Sequence, residues 1–275
     1  MDMSSSLALS PQSLSQKAAD VARSAKPILR FDQVGLEYDG RDVLKDLSFS
    51  VNRGEVITIL GPSGCGKTTM LNIVAGFLQP SSGLALVNDR EIAGPGPDRG
   101  VVFQSYALFD WMSVEDNIAF SLRCGGKSKQ EQLAVATEMA ALVGLQGFEK
   151  SFPYQLSGGM RQRCGLARVL AAHPSVMLMD EPFAAVDVQT RETLQEEILR
   201  IKTETKCTII FITHSIDEAV FLADRVFLMR KGRLGAFDEF VVDLPEPRGS
   251  ADNRLHPEFL SIREKIYRTM RADAS

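Results

Sequence analysis

The chain has 275 residues, of which 44% are hydrophobic, and it carries a formal net charge of −4 at pH 7. The hydrophobic fraction is ordinary for a globular protein with a core, and the acidic balance argues against a nucleic-acid binder, which would normally carry a basic patch. The longest apolar runs, such as CTIIFI at Cys207–Ile212, are far shorter than the ~20 residues needed to span a bilayer, so a role at a membrane would require a partner subunit.

The first predicted elements surround a glycine-rich loop. Residues 1–26 are rich in Ser, Ala and Gln, show no secretory signal and are predicted to form a disordered leader. Strands are predicted at Ile28–Tyr38 and at Glu55–Leu60, a short apolar run typical of a buried strand. The second strand leads into GPSGCGKT at Gly61–Thr68 and then into a helix over about Lys67–Ala75. Strand, loop and helix in this order are the context of a phosphate-binding loop.

The residues of this loop suit a nucleotide. Gly61, Gly64 and Gly66 let backbone N–H groups approach phosphate oxygens that side chains would block, and the following helix points its positive end at the same anion. Lys67 supplies a positive charge to the β- and γ-phosphates, and the Thr68 hydroxyl can bind Mg²⁺. The motif therefore predicts nucleotide binding without saying which reaction follows.

Strands and helices alternate after the loop. Strands are predicted at Leu84–Val87, Gly100–Phe103, Val176–Met179 and Cys207–Thr213. A helical stretch is predicted over about Val114–Leu145, with capping signals at Ser113 with Asp116 and at Ser128 with Glu131. Further helices are predicted from the LSGGMRQR segment to about Ala172 and over Gln189–Ile201. A last one is predicted to start at the capping signal of Ser215 with Glu218 and to end at about Leu222. The tail from Pro245 to Pro257 is predicted to be extended and to precede a short helix. Strands interleaved with helices on both sides of the loop predict a parallel α/β core.

An acidic pair follows one of these strands. VMLMDEP at Val176–Pro182 is an apolar strand that ends in Asp180 and Glu181. Beside a phosphate loop, Asp180 can hold Mg²⁺ while Glu181 orients or deprotonates the attacking water. Alone, such a pair is as readily a helix cap, but the loop upstream favours the catalytic interpretation.

A second segment suited to anions is LSGGMRQR at Leu156–Arg163. Ser157, Gly158 and Gly159 stand at a predicted helix start, where free N–H groups and the positive helix end attract an anion. Because Lys67 and its loop already hold the chain's own phosphates, this segment predicts a site for the nucleotide of a second chain. The alternative is a helix that is merely capped by the serine.

These motifs together resemble those of the ATP-binding subunit of an ABC transporter, over about residues 28–272. The resemblance implies an α/β fold with a P-loop NTPase (RecA-like) core, an inserted α-helical lobe and an antiparallel β portion near the N-terminus. It implies an ABC ATPase domain at residues 27–250, with the lobe at about 105–172, and a C-terminal helical tail at 251–275, after the leader at 1–26. ATP and Mg²⁺ are the implied cofactors, and the enzyme is implied to work as a pair.

The resemblance also implies a role for each residue of the site. Catalysis is assigned to Glu181, to His214 in THSIDEA and to Gln104, and metal binding is assigned to Thr68, Gln104 and Asp180. Nucleotide contacts are assigned to Tyr38, which would stack on adenine, to Asp187, to the signature residues Ser157, Gly158 and Gly159, and to the loop residues Gly61, Pro62, Ser63, Gly64, Cys65, Gly66, Lys67, Thr68 and Thr69.

Several of these residues have structural alternatives. Asp187 can be the N-cap of a helix, Tyr38 a strand-end aromatic residue, and His214 a structural histidine at the end of a strand. The family commonly has SALD where this chain has AAVD at Ala184–Asp187. The missing hydroxyl removes one hydrogen bond from the implied dimer interface.

Longer stretches extend the resemblance to the subgroup that energises uptake of nitrate, taurine and other sulfonates. They are DRGVVFQSYALFDWMSVEDNI at Asp98–Ile118, PFAAVDVQTR at Pro182–Arg191, THSIDEAVFLADRV at Thr213–Val226 and LPEPR at Leu244–Arg248. The implied partners are a second ATPase subunit, transmembrane permease subunits and, indirectly, an extracytoplasmic solute-binding protein. Such partners would hold the chain at the cytoplasmic face of the cell membrane.

Two rival functions belong to other classes. A soluble ABC ATPase acting on nucleic acid or the ribosome would usually carry a coiled-coil insertion or two cassettes, and the sequence shows neither. A small-molecule kinase or a GTPase could carry the signature by chance, but the sequence has no guanine-reading NKxD string. Copurification with a membrane protein would distinguish a transporter subunit from the soluble ABC ATPase. A preference for ATP over other nucleotides would distinguish it from the kinase or GTPase.

One segment is apolar enough to invite a second interpretation. SYALFDWMS, between Gln104 and Val114, brings together Tyr106, Leu108, Phe109, Trp111 and Met112. These residues can fold into the core of the helical lobe. Alternatively, they can form a docking groove for a short cytoplasmic helix of the transmembrane subunit, because aromatic residues and Met are favoured at such contacts.

Overall fold

A computed structural model describes residues 26–103, 106–184, 186–230 and 234–272. The strands are β1 (Pro27–Tyr38), β2 (Arg41–Asn52), β3 (Val56–Leu60), β4 (Ser82–Val87), β5 (Arg90–Glu91), β6 (Arg99–Val102), β7 (Val176–Asp180), β8 (Thr208–Thr213), β9 (Arg225–Met229) and β10 (Phe237–Val241). The helices are α1 (Lys67–Ala75), α2 (Val114–Ile118), α3 (Phe120–Cys124), α4 (Lys129–Leu142), α5 (Gly158–Leu170), α6 (Val188–Thr205), α7 (Ile216–Leu222) and α8 (Pro257–Ala272). The predicted leader lies outside the described residues, apart from Lys26.

The strands form two sheets. The first has four strands in the order β2-β1-β4-β5, all paired antiparallel. The second has six strands in the order β10-β9-β3-β8-β7-β6, of which all but β10 run parallel. This arrangement confirms the predicted α/β class with an antiparallel portion near the N-terminus.

The centre of the parallel sheet follows from two apolar runs. VITIL in β3 and TIIFIT in β8 are buried at every position, as expected for parallel strands that are covered on both faces. Strands β2, β5, β9 and β10 were not predicted from the sequence. In β2 exposed polar residues separate the buried residues Leu44, Leu47 and Val51, and the left-handed Asp46 (φ 51°) interrupts a strict alternation.

Helices α2 to α5 lie between β6 and β7 in the chain. The helical stretch predicted over Val114–Leu145 is confirmed as three helices, because the chain breaks at Ala119 and again at Gly125–Gly126, where Gly126 takes a φ of +74°. The predicted capping box of Ser128 with Glu131 is confirmed at the start of α4. The domain limits inferred from the resemblance stay a prediction.

The C-terminal part is more ordered than predicted. The tail expected to be extended contains a 3-10 turn at Ala251–Leu255 before the sixteen-residue helix α8. Phe259, Ile262 and Ile266 of α8 are buried. Among the described residues, no helix is both long and apolar enough to cross a bilayer.

Candidate active site

The glycine-rich loop, the acidic pair and His214 meet at one edge of the parallel sheet. In the register of the sheet Leu60 pairs with Thr213, and Asp180 pairs with Ile212. The segments that follow β3, β7 and β8 therefore emerge side by side, at the edge where ligands bind in open α/β sheets. Those segments are the glycine-rich loop, the acidic pair and the loop that contains His214.

Glycine is required at two positions of the loop, Gly61 and Gly66, by backbone conformation and by close contacts. Gly66 is the N-cap of α1 with a φ of +100°, and a Cβ there would lie 2.8 Å from Leu44 Cδ2. A Cβ at Gly61 would lie 2.6 Å from the Met229 carbonyl oxygen. A side chain at Gly61 would push the loop away from the Met229 backbone, and a side chain at Gly66 would be strained by the left-handed φ.

Lys67 is drawn into the loop. Its side chain is buried, and its Nζ atom donates to the carbonyl oxygens of Gly61 at 2.8 Å and Pro62 at 2.9 Å. The ammonium group therefore lies at the centre of a curved backbone whose helix α1 begins at the same point. This geometry suits a phosphate group, for which Lys67 would exchange its carbonyl partners.

Thr68 and Asp180 offer the oxygen atoms that Mg²⁺ prefers. Thr68 Oγ1 donates to Asp180 Oδ2 at 3.2 Å. Burial raises the pKa of Asp180, and the neighbouring Glu181 raises it further, while the Thr68 hydrogen bond and Lys67 act in the opposite direction. A carboxylate that is costly to ionise without a cation fits a metal ligand, so the residues present fit the predicted Mg²⁺.

We expect Asp180→Asn to stabilise the nucleotide-free protein by roughly 1–3 °C at neutral pH. Because the pKa of Asp180 is higher in the folded protein than in the unfolded chain, ionising Asp180 lowers the free energy of unfolding. This loss is complete at pH values above the folded-state pKa and absent at pH values below the unfolded-state pKa. The gain should therefore shrink as the pH falls toward the ordinary aspartate pKa of 3.8. Thermal melting at several pH values measures it.

The matched control for this prediction is Asp187→Asn. The pKa of Asp187 is lowered because the Thr190 backbone N–H donates to its carboxylate, so loss of that charge should not stabilise the protein. A lower melting temperature for Asp180→Asn at neutral pH would contradict the expectation.

Glu181 is held in an uncommon backbone conformation. Its φ is +47°, its N–H donates to the Ile212 carbonyl oxygen at 3.1 Å, and its Oε1 lies 3.0 Å from His214 Nδ1. A left-handed residue that is not glycine stores strain, and such residues cluster at functional sites. The structure thus brings the predicted base and the predicted histidine into direct contact.

The predicted capping box of Ser215 with Glu218 is only half correct. Ser215 Oγ accepts from the Glu218 backbone N–H at 3.3 Å, as predicted. The Glu218 carboxylate, however, does not reach back to the Ser215 N–H; it accepts from the Thr213 hydroxyl at 2.6 Å, and that hydroxyl accepts from the Ser215 N–H at 3.0 Å. The Glu218 carboxylate accepts from Thr213 rather than from the Ser215 N–H because the buried threonine offers an O–H donor away from water.

The signature and Asp187 stand at helix starts. Ser157 caps α5 by accepting from the Met160 N–H at 3.2 Å, and Asp187 caps α6 by accepting from the Thr190 N–H at 3.0 Å. Both residues therefore cap helices, and a cap of this kind is compatible with either interpretation of the two residues. Their contacts with a nucleotide of a second chain stay predictions.

Two further predicted residues, Tyr38 and Gln104, and one unpredicted residue, Arg191, complete the description of the site. Tyr38 is 67% exposed at the end of β1 and free to stack on a ligand. Gln104 lies outside the described residues. Arg191 was not predicted, yet it lines a cavity of about 100 Å³ together with Glu181 and His214; a single arginine near the start of a helix carries no sequence signal of such a role.

Comparison with known proteins gives consistent results. A protein-family model described as ABC transporter matches residues 44–184. An ATP-binding protein of Brucella abortus is 47% identical over 88% of this chain and 93% of its own length. The taurine import ATP-binding protein TauB of Yersinia pestis is 42% identical over 84% of this chain and 92% of its own length. A dimeric ATP-binding cassette in a post-hydrolysis state, bound to ADP and Pi, superposes with a TM-score of 0.67 and 27% identity, covering 78% of this chain and 99% of that one.

Proposed function

The chain belongs to the ABC transporter family, and we propose that it is the ATP-hydrolysing subunit that energises an importer for a small solute. The observation that carries this proposal is the convergence of Lys67, the Thr68–Asp180 pair and the Glu181–His214 pair at one edge of the sheet. The first two suit the binding of a metal-bound triphosphate, and the third suits the activation of water beside it.

Each residue has a distinct task in this reaction. Lys67 and the loop N–H groups bind the β- and γ-phosphates, while Thr68 and Asp180 hold the Mg²⁺, with Gln104 as a further proposed ligand. The metal supplies charge neutralisation on the phosphate oxygens. Glu181 orients the attacking water and takes its proton, and His214, 3.0 Å away, steadies that carboxylate and contacts the γ-phosphate.

The proposed enzyme works as a pair. Ser157, Gly158 and Gly159 at the start of α5 would bind the γ-phosphate held by the partner, and Asp187 would lie across the same interface. The dimeric state of the similar cassette with ADP and Pi supports this arrangement. Tyr38 would stack on the adenine ring of the chain's own nucleotide.

The proposed solute is nitrate, taurine or another sulfonate. The taurine import protein TauB at 42% identity supports this class of solute. The test is uptake of labelled taurine and nitrate by vesicles that hold the chain together with the permease that copurifies with it, with Lys67→Ala as the inactive control. ATP hydrolysis that is stimulated by nucleic acid or ribosomes, without copurification of a permease, would instead favour the soluble alternative.

We further propose that residues 106–113, which precede α2, dock the permease at the cytoplasmic face of the membrane. Trp111 is 74% exposed, and its ring lies 5.4 Å from that of Phe109, which in turn packs 4.5 Å from Phe120. The expected core packing is therefore correct for Leu108, which packs against the buried cluster, and wrong for Trp111. An exposed tryptophan that is supported by packed aromatic side chains, as Trp111 is by Phe109 and Phe120, is typical of a residue that anchors an interface.

Trp111→Ala should weaken assembly with the permease by about tenfold or more, because truncating an interface anchor costs about 2 kcal/mol. The melting temperature of the free subunit should change by less than about 2 °C, because the side chain is mostly exposed. Copurification and melting are measured together. Tyr267→Ala, at an exposed aromatic residue of α8, is the control; a large loss of melting temperature with unchanged assembly would exclude the docking role.

A further inference from the structure

Arg191 connects the segment before α6 to the interior of the site. It lies in the first turn of α6, and its Nη2 donates to the Val186 carbonyl oxygen at 3.1 Å. Its Nε atom is buried without a hydrogen-bond partner among the described residues, and Glu218 Oε1 lies 3.6 Å from it. The guanidinium group thus spans the gap between the Asp187 segment and helix α7.

Glu218 continues this connection toward His214. Its side chain is buried, and its Oε2 accepts from the Thr213 hydroxyl at 2.6 Å. The same hydroxyl accepts from the Ser215 N–H at 3.0 Å. The residues on both sides of His214 are therefore tied to one carboxylate, and that carboxylate is balanced by Arg191.

The contacts close around the cavity of about 100 Å³ that Glu181 and His214 also line. A buried carboxylate without a cation is strongly destabilising, so the position of Glu218 depends on that of Arg191. Movement of the Val186–Asp187 segment would move Arg191 and, through Glu218 and Thr213, the backbone on either side of His214.

We propose that Arg191 and Glu218 are positioning residues, which set the orientation of His214 and couple it to the segment at Asp187. The inference rests on the roles proposed above for Glu181 and His214. It adds a physical path by which the dimer interface, through Asp187, would control the histidine beside the catalytic base.

The first test is a double-mutant cycle on ATP hydrolysis by the full chain with Mg²⁺. Arg191→Gln and Glu218→Gln should each lower kcat by about tenfold and leave ATP affinity within about twofold, because they displace His214 without touching the phosphate loop. The double variant should be no slower than the slower single variant, since both substitutions break one path. Additive losses would overturn the coupling.

The second test needs no turnover. Hydrogen exchange of the nucleotide-free protein should be faster at the Ser215 N–H in both variants, because Thr213 no longer holds it in place. Arg191→Lys keeps the positive charge but not the guanidinium group that reaches both Val186 and Glu218, so it should fold normally and still lower kcat by about threefold or more. Wild-type kcat and exchange in folded Arg191→Lys and Arg191→Gln would overturn the proposal.

The matched control is the ion pair of Arg263 with Asp217, which joins α8 to the same helix α7 at 2.7 Å. Arg263→Gln and Asp217→Asn should leave kcat within about twofold, because both side chains are half exposed and the pair does not involve Thr213. An equal loss in this pair would reduce Arg191 to a general stabiliser of α7. Wild-type activity in Glu181→Gln and His214→Ala would instead contradict the proposed function itself.

Discussion

Glu181→Gln should lower ATP turnover by about 100-fold or more while leaving ATP affinity within about twofold, because a positioned general base contributes about 10²–10⁴ to rate. Glutamine keeps the size of the side chain and can still reach His214 Nδ1, which lies 3.0 Å from Glu181 Oε1. It cannot take a proton from water. Single-turnover hydrolysis and nucleotide titration separate the two effects.

The same variant should accumulate as a dimer in ATP, because hydrolysis is what reopens the pair in the proposed cycle. Size-exclusion chromatography with ATP and with ADP measures this. Glu138→Gln, at an exposed position of α4, is the control and should behave as wild type in both assays. Near-normal turnover by Glu181→Gln in the assembled transporter would remove Glu181 from the role of base.

The second large effect is expected on ATP hydrolysis by dimers in which Lys67→Ala and Ser157→Arg lie either on different chains or on the same chain. Lys67→Ala removes the buried ammonium group of the loop, and Ser157→Arg places a bulky cation where the α5 cap stands. Each homodimer should lose most of its activity, because both of its sites carry the defect. A mixed dimer with one defect on each chain should recover up to about half of wild-type turnover, because shared sites place both defects in one site and leave the other intact.

The reverse arrangement is the control. When one chain carries both substitutions and its partner carries none, shared sites are both damaged, and activity should stay low. If each chain instead used its own loop and signature, the order would be inverted: the second mixed dimer would be active and the first inactive. Melting curves should accompany these assays, since loss of an N-cap costs about 1 kcal/mol.

The local elements could be predicted where the sequence itself sets their limits. Helix α1 spans Lys67–Ala75 as predicted, because Gly66 and Gly76 take left-handed conformations at its two ends. Strands β3 and β8 were predicted from continuous apolar runs. Strand β2 was not, because its alternation of buried and exposed residues is interrupted at Asp46.

The geometry of the site was predicted in part. The motifs named Lys67, Asp180 and Glu181, because each has a chemical role that a short pattern encodes. The pair of Arg191 with Glu218 could not be predicted, because the two residues are separated in the chain by most of α6 and all of β8. Such a pair depends on which strands become neighbours in the sheet. The periodicity of apolar residues within short segments of the sequence does not determine that order.

The order of strands in the parallel sheet also constrains how the chain folds during synthesis. Strand β3, which carries the phosphate loop, has β8 and β9 as its neighbours, and both lie in the last quarter of the sequence. Pairings between distant segments form slowly, and unpaired apolar strands are prone to aggregate. On the ribosome, β3 therefore keeps one edge unpaired until β9 has emerged, and it keeps both edges unpaired until β8 has emerged. Chains interrupted before that point would be substrates for chaperones and proteases, with the phosphate loop attached to a strand that has no sheet to join.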